Sequence, residues 1–294
     1  MDGVIVLHKP KGKTSHDMVG FLRRLLSVRR IGHTGTLDPD ATGVLPLCVG
    51  MCTKASQYIM DSEKTYVATM QLGAATTTQD ASGEVTNKAE VQVSQAQIEQ
   101  TIQSFIGEIM QIPPMYSAVK VDGKKLYTLA REGIEIERKP RKVQIHGIQI
   151  LDIDMQAAMV RMEVTCSKGT YIRTLIHDIG EKLGCFAHMT DLVRTKSGGF
   201  TLDEAYTCEE LVALKEAGKL SEAILPTERV FAKYPEIVLN EKNTQRARNG
   251  VTIRYLGVQA EQRYRVYGVD GAFLCLSVGR EDGSLKMITS FWSE

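Results

Sequence analysis

Gly32-His33-Thr34-Gly35-Thr36-Leu37-Asp38-Pro39-Asp40-Ala41-Thr42-Gly43-Val44-Leu45-Pro46 is the stretch on which the reading of this chain turns. Its glycines let the backbone fold tightly and come close to a ligand. Its histidine and threonines offer polar contacts, and Pro39 fixes a turn that presents Asp38. Val44-Leu45-Pro46-Leu47-Cys48-Val49 follows as an apolar run, which predicts a buried strand holding the loop rigid. A carboxylate on a stiff, Gly-rich turn suits a catalytic nucleophile or acid/base. The plain alternative is a turn aspartate bonded to its own backbone. The dense polar surroundings favour catalysis, although the stretch alone leaves the reaction open.

The rest of the chain sets the frame. Its 294 residues suit one large domain, or one large and one small. Hydrophobic residues at 43% and charged residues at 24% are those of an ordinary globular protein. No apolar run approaches a membrane span, and Met1-Asp2-Gly3 opens no signal peptide, so a cytoplasmic location is expected. Six scattered cysteines read as buried, reduced thiols, and no paired Cys/His cluster suggests a metal. The net charge of +1 announces no polyanion partner. Local charge says more. Lys9, Lys11, Lys13, Arg23, Arg24, Arg29 and Arg30 face only Asp2 and Asp17 within residues 1–36. Residues 120–142 hold eight Lys/Arg against four Asp/Glu. Two basic segments on a neutral chain fit a polyanion-binding face, the plain alternative being solvated surface.

Along the chain, Val4–Leu7 reads as a short buried strand. A helix follows with Ser15 as its cap and Met18, Leu22, Leu25 and Leu26 as its apolar stripe. Residues 63–72 alternate as a strand, with Tyr66, Ala68 and Met70 on one face. Ser94 opens a helix that buries Ile98, Ile102, Phe105 and Ile106. Residues 110–142 look like a charged excursion, with a hairpin turn over 119–124 and a short helix over 124–131 stopped by Gly133. Two paired strands are expected over 143–153 and 159–166, then a helix over 170–183 ending at Gly184. Thr207-Cys208-Glu209-Glu210 is a capping box for another helix. Pro226 and Pro235 bracket a linker, and 240–249 could be a short helix. Short strands within 263–290, separated by Asp-Gly turns, make a small β-rich unit.

Individual residues carry rival readings. Gly12-Lys13-Thr14 looks like the end of a phosphate-binding P-loop, but Leu7 stands where that motif needs glycine. Lys9, Lys11 and Lys13 then serve phosphate contact or support of the neighbouring loop. Ser167-Lys168-Gly169-Thr170-Tyr171-Ile172-Arg173 places Tyr171 and Arg173 at a helix start. Arg173 is either a surface arginine or the partner of a carboxylate, and beside Asp38 it would keep that acid ionised. Tyr66 is either core or a flat face for a nucleobase. His33 is a loop hydrogen-bonder or a base. Leu192 alone reads as core, and His188 as structural.

Together these stretches resemble the TruB family of bacterial tRNA pseudouridine synthases. Gly32–Pro46 is similar to that family's catalytic loop, and His8-Lys9-Pro10 with Gly12, Thr14 and Ser15 to its first motif. Lys64-Thr65-Tyr66 resembles its tyrosine motif. Ile112-Pro113-Pro114-Met115-Tyr116-Ser117-Ala118 and Gly123-Lys124-Lys125-Leu126-Tyr127 resemble its RNA-binding insert. Residues 167–173 and Leu192-Val193-Arg194-Thr195 resemble its third region. Gly198-Gly199 stands where many relatives carry proline, and 235–294 is similar only in general character to the family's small RNA-binding tail.

The resemblance implies an α+β fold with a central, largely antiparallel mixed sheet. A catalytic domain would span 1–233, with an RNA-binding insert over 110–142, and a PUA-like tail 234–294. It implies isomerisation of the T-loop uridine of tRNA (uridine-55) to pseudouridine, with no cofactor or metal. Asp38 would be the nucleophile. Tyr66 would stack on the base and take part in proton removal, and Arg173 would pair with Asp38. His33, Tyr171 and Leu192 would line the pocket, while Lys9, Lys124, Lys125, Arg141 and Lys142 would hold RNA. Two other readings stand beside it. A non-catalytic tRNA-binding or tRNA-folding protein shares the basic insert but has no use for a carboxylate facing phosphate. A glycosidase-like hydrolase needs a second flanking acid, and Asp40 is not a persuasive one.

Overall fold

A computed structural model describes residues 2–117, 119–121 and 123–292, apart from the side chains of Lys120, Lys125 and Arg131. The chain runs β1 (Gly3–Lys9), α1 (Ser15–Leu26), β2 (Ile31–His33), β3 (Thr42–Val49), α2 (Ser56–Met60), β4 (Lys64–Leu72), β5 (Ala74–Thr76) and β6 (Val85–Lys88). It continues through α3 (Gln95–Gln103), β7 (Gly107–Gln111), β8 (Lys120–Val121), β9 (Lys124–Lys125), α4 (Leu126–Arg131), β10 (Arg141–Asp154), β11 (Met159–Cys166) and α5 (Ile172–Leu183). It ends with β12 (Ala187–Ser197), β13 (Phe200–Thr201), α6 (Cys208–Glu216), β14 (Glu236–Val238), α7 (Glu241–Arg248), β15 (Ile253–Arg254), β16 (Arg263–Tyr267), β17 (Phe273–Gly279) and β18 (Ser284–Ser290).

The main sheet has the order β1-β3-β12-β4-β11-β10-β7, with β2 on β3 and β13 on β12. Its pairings are antiparallel except β12 with β3. Strand alternation sorts the side chains. From β1 and β3, Ile5, Leu7, Leu45 and Leu47 pack under α1 and α6 on one face. Val4, Val6, Val44 and Cys48 go to the other, against Phe200 and Phe231. A third core joins Ala68, Met70, Val160, Met162, Val164 and Leu192 to Ile98 and Ile102 of α3 and Leu175, Ile176 and Ile179 of α5.

Several expectations need correction. Thr14, not Ser15, caps α1: its Oγ1 accepts the Asp17 amide at 3.1 Å, and Asp17 Oδ2 accepts the Thr14 amide at 2.8 Å. Ser15 turns inward instead, and its Oγ accepts the Leu37 amide at 2.9 Å, next door to Asp38. Ile106 is 41% exposed, because α3 ends at Gln103 and the chain has left the helical face. Lys124–Lys125 is strand, and the short helix starts only at Leu126. The 170–183 helix begins at Ile172 with Tyr171 as its N-cap. The segment between Pro226 and Pro235 is not a free linker. It forms a 3-10 turn that buries Phe231 against Tyr58, Phe273 and Phe291, with ring centroids 5.0–6.0 Å apart.

Beyond it lies a five-stranded sheet, β14-β16-β17-β18-β15. Its own core includes Ile237, Leu239, Ala247, Val266 and Leu274. All six cysteines are free. Among the described residues no helix is long and apolar enough to cross a membrane, and no group of His, Cys, Asp and Glu could hold a metal ion.

The lone parallel pairing of the main sheet, β12 with β3, brings two backbones unusually close. Gly43 sits opposite Arg194 at φ +105°, and a Cβ there would meet the Arg194 carbonyl oxygen at 2.3 Å. Gly43→Ala is therefore expected to cost about 1–3 kcal/mol from backbone strain alone. Denaturant unfolding checks it, and an unchanged midpoint would contradict this close approach.

Candidate active site

Asp38 lies in the loop between β2 and β3, and that loop is held from several sides. The Thr34 hydroxyl donates to the Pro46 carbonyl at 2.9 Å. The Gly12 amide donates to the Pro39 carbonyl at 2.8 Å. Lys9, a candidate for phosphate contact, is fully buried, and its Nζ donates to the carbonyls of Pro10 (2.8 Å), Lys13 (2.6 Å) and Pro39 (2.9 Å). An ammonium saturated in this way does not reach RNA. It holds the Asp38 turn, and burial pulls its pKa down to about 8.

Arg173 reaches Asp38 from the first residues of α5. Its Nε stands 2.9 Å from Asp38 Oδ2, with the arginine side chain 5% and the aspartate side chain 39% exposed. Every edge of the guanidinium is used. Nη1 donates to the Thr78 carbonyl at 2.9 Å and stands 3.5 Å from Asp80 Oδ2, and Nη2 donates to the Tyr116 carbonyl at 3.0 Å. A planar fork with five N–H groups can do this, and an ammonium cannot. One side chain thus ties together the Asp38 loop, the turn after β5 and the insert after β7.

The Asp38 carboxylate is pulled two ways. Burial raises the Asp38 pKa, Arg173 pulls against it, and Asp80 adds to the rise. Arg173 therefore offsets only part of the cost of a charge in this site. Nearby groups are likewise shifted by burial. The Tyr66 and Tyr171 phenols go up, and the His33 imidazole goes down, helped by His16 and Arg194. His33 Nδ1 accepts the Gly35 amide at 3.4 Å, the role of a neutral ring.

The sequence-predicted residues are brought together unevenly. Tyr66 on β4 faces Arg194 across the β4–β12 ladder, one step from the Ala68–Leu192 pair. Leu192 itself is 6% exposed and shares its core with Leu37, so it backs the site. Tyr171 is clamped by Gln111, whose amide exchanges two hydrogen bonds with the Tyr171 backbone at 2.8 and 3.0 Å. Lys124 and Arg141 are exposed in the insert. Lys142 is exposed too and meets Glu108 at 2.6 Å, a surface pair that leaves it available. The side chain of Lys125 lies outside the described residues. His188 is structural, with Nδ1 2.9 Å from the Ala74 carbonyl.

Three participants escaped the sequence reading. Asp80 is fixed by the hydroxyls of Thr78 and Ser82, both at 2.6 Å. The run Thr76–Asp80 before Ser82-Gly83 is an Asx-turn signal that could have drawn notice. Arg194 and Gln111 carry no such signal: each sits on the inward face of its strand, beside Leu192 and Ile109, and only the tertiary structure shows which groups it meets there. Cavities of about 470 and 570 Å³ open in the C-terminal part, lined by residues such as Lys242, Arg246 and Arg254, and Phe273, Phe291 and Trp292. Neither touches Asp38.

With the geometry in place, the comparisons are direct. Residues 23–172 match the N-terminal domain of TruB family pseudouridylate synthases, and 173–232 the C-terminal domain of tRNA pseudouridylate synthase B. The tRNA pseudouridine synthase B of Bacillus cytotoxicus is 48% identical over 267 residues, covering 89% of this chain and 87% of that protein. Its namesake in Geobacillus kaustophilus is 47% identical over 260 residues, covering 86% and 91%. A chain of a Cbf5–Nop10–Gar1 complex superposes with TM-score 0.76 at 28% identity, covering 99% of this chain and 85% of that one. A chain of an H/ACA RNP bound to a substrate RNA gives 0.75 at 26%, with the same coverage.

The raised Asp38 pKa has a definite sign for stability. An acid whose folded pKa exceeds its unfolded one loses stability as pH rises through that interval, so the ionised carboxylate is a net cost at neutral pH. Asp38→Asn is expected to melt no lower than the wild type at neutral pH, and the difference should vanish in acid. A clear loss of melting temperature at neutral pH would contradict it.

Proposed function

The chain belongs to the TruB family of pseudouridylate synthases, and we propose that it isomerises the T-loop uridine of tRNA (uridine-55) to pseudouridine, with Asp38 as the attacking group. The observation that carries the assignment of roles is the 2.9 Å contact between a partly open Asp38 carboxylate and a buried, fully engaged Arg173. Isomerisation breaks the C–N glycosidic bond and makes a C–C bond to the same sugar. The target base sits in a folded loop and must be flipped out, at a cost of a few kcal/mol. Stacking on the Tyr66 ring returns about 1–3 kcal/mol. Asp38 then attacks the everted nucleotide, at the sugar's anomeric carbon or at C6 of the ring. Its raised pKa fits this task, because a carboxylate poorly solvated by its site is a stronger nucleophile than one in water.

His33 and Tyr171 flank the base, and Leu192 supports the pocket from behind. Lys124, Lys125, Arg141 and Lys142 of the 110–142 insert grip the RNA backbone. Residues 1–233 form the catalytic domain, and 234–294 a small PUA-like domain that lengthens the RNA-binding face. The site of action is the cytoplasm, and six free thiols accord with a reducing compartment. A non-catalytic tRNA binder on the same fold is disfavoured by the site itself. A half-open carboxylate opposes an anionic ligand, and Arg173 and Asp80 would be idle.

Incubating unmodified tRNA with the purified protein and analysing the nucleosides tests the reading: one uridine per tRNA should become pseudouridine at unchanged mass, in the T loop. Binding without conversion would leave the binder. Replacing Lys124, Arg141 and Lys142 together by Ala should weaken tRNA binding and flatten the dependence of log K on log salt by roughly one unit for each phosphate no longer neutralised. An unchanged slope would remove the insert from the RNA-binding face.

A further inference from the structure

Arg194 is the largest fully buried side chain among the described residues, at 1% exposure. Its hydrogen bonds go to backbone carbonyls on both sides of Asp38. Nε donates to Val44 at 2.8 Å, Nη2 to Gly35 at 3.3 Å and Nη1 to Thr36 at 3.5 Å. Among the described residues no carboxylate forms an ion pair with it. A guanidinium buried on carbonyls alone is costly, and mere stapling of a loop would not require a charge.

Its position in the sheet suggests what the charge is for. On one side β12 meets β3, with Arg194 opposite Gly43, and on the other it meets β4, with Arg194 opposite Tyr66. Directly opposed residues share a face, with Cβ atoms about 5 Å apart. Tyr66 and Arg194 are therefore neighbours on one face of the sheet. One guanidinium thus grips the nucleophile's loop on both sides of Asp38, from a position directly across the ladder from the residue proposed to hold the base.

We propose that Arg194 is a positioning residue for the isomerisation, holding Tyr66 in fixed relation to Asp38 through its place opposite Tyr66 and its grip on the loop around Asp38. A cation beside a phenol also favours the phenolate, and the other surroundings of Tyr66 work the opposite way. The Cys166 thiol from β11, the Asp38 carboxylate from the loop and burial all disfavour a phenolate, and Arg194 alone favours it. The inference rests on the pseudouridine-synthase reading above, whose own failure would show as no conversion by the wild type.

The test combines a spectroscopic and a kinetic readout. In protein labelled with 3-fluorotyrosine, the Tyr66 resonance is assigned by its loss in Tyr66→Phe and titrated by fluorine NMR. Its midpoint is expected to move to higher pH in Arg194→Lys, and further in Arg194→Met. In single turnover, Arg194→Lys should slow conversion by about 10–100-fold while tRNA binding is retained. On top of Tyr66→Phe, the same change should cost less than about threefold, because the group it acts through is gone. An unmoved titration in folded Arg194→Lys, or equal losses with and without the Tyr66 hydroxyl, would reduce Arg194 to a loop staple and overturn the proposal.

Discussion

The contact between the Arg173 guanidinium and the Asp38 carboxylate organises this molecule. Asp38 comes from the loop between β2 and β3, and Arg173 from a helix that starts more than a hundred residues later. The two meet because β4, β11 and β12 bring their elements side by side. Arg173 then reaches Asp80, Thr78 and Tyr116 with its remaining donors. A shift in any of these segments would be felt at the carboxylate. Rigidity of this kind is what a nucleophile needs, since small misplacements of reacting groups cost large factors in rate.

A second pattern supports the first. Lys9 and Lys64 are buried with their ammonium groups capped by three carbonyls each, and Arg194 is buried on three more. These cations brace the loops on either side of Asp38 and Tyr66. Burial lowers both lysines to about 8, a measure of how little solvent reaches them. Desolvation by the surrounding protein raises Asp38 as well, although one side of its carboxylate stays open, and the ion pair with Arg173 offsets part of that rise.

Most of this architecture was legible in the residues. Period-two alternation in β4 and β11 and the apolar stripe of α1 mark strands and helix correctly, because one face of each packs on a core. The Asp38 loop declared itself through Gly, Thr and Asp crowded before an apolar strand. What stayed hidden depends on long-range placement. Lys9 stayed open between phosphate contact and support of the neighbouring loop, because sequence does not show that three carbonyls converge on it. Ser15 looked like a cap because its inward bond to Leu37 spans twenty-two residues. Arg194 drew no reading of its own, since the carbonyls it meets, on Val44, Thr36 and Gly35, lie 150 or more residues away in sequence.

The central claim is that the Asp38 oxygen does the chemistry, and not the binding. Single-turnover conversion of unmodified tRNA by Asp38→Asn, at enzyme concentrations that saturate the RNA, tests it most directly. The account predicts undetectable pseudouridine in the presence of wild-type affinity for tRNA. A conversion rate within about tenfold of the wild type, at most about 1.4 kcal/mol of barrier, would contradict it.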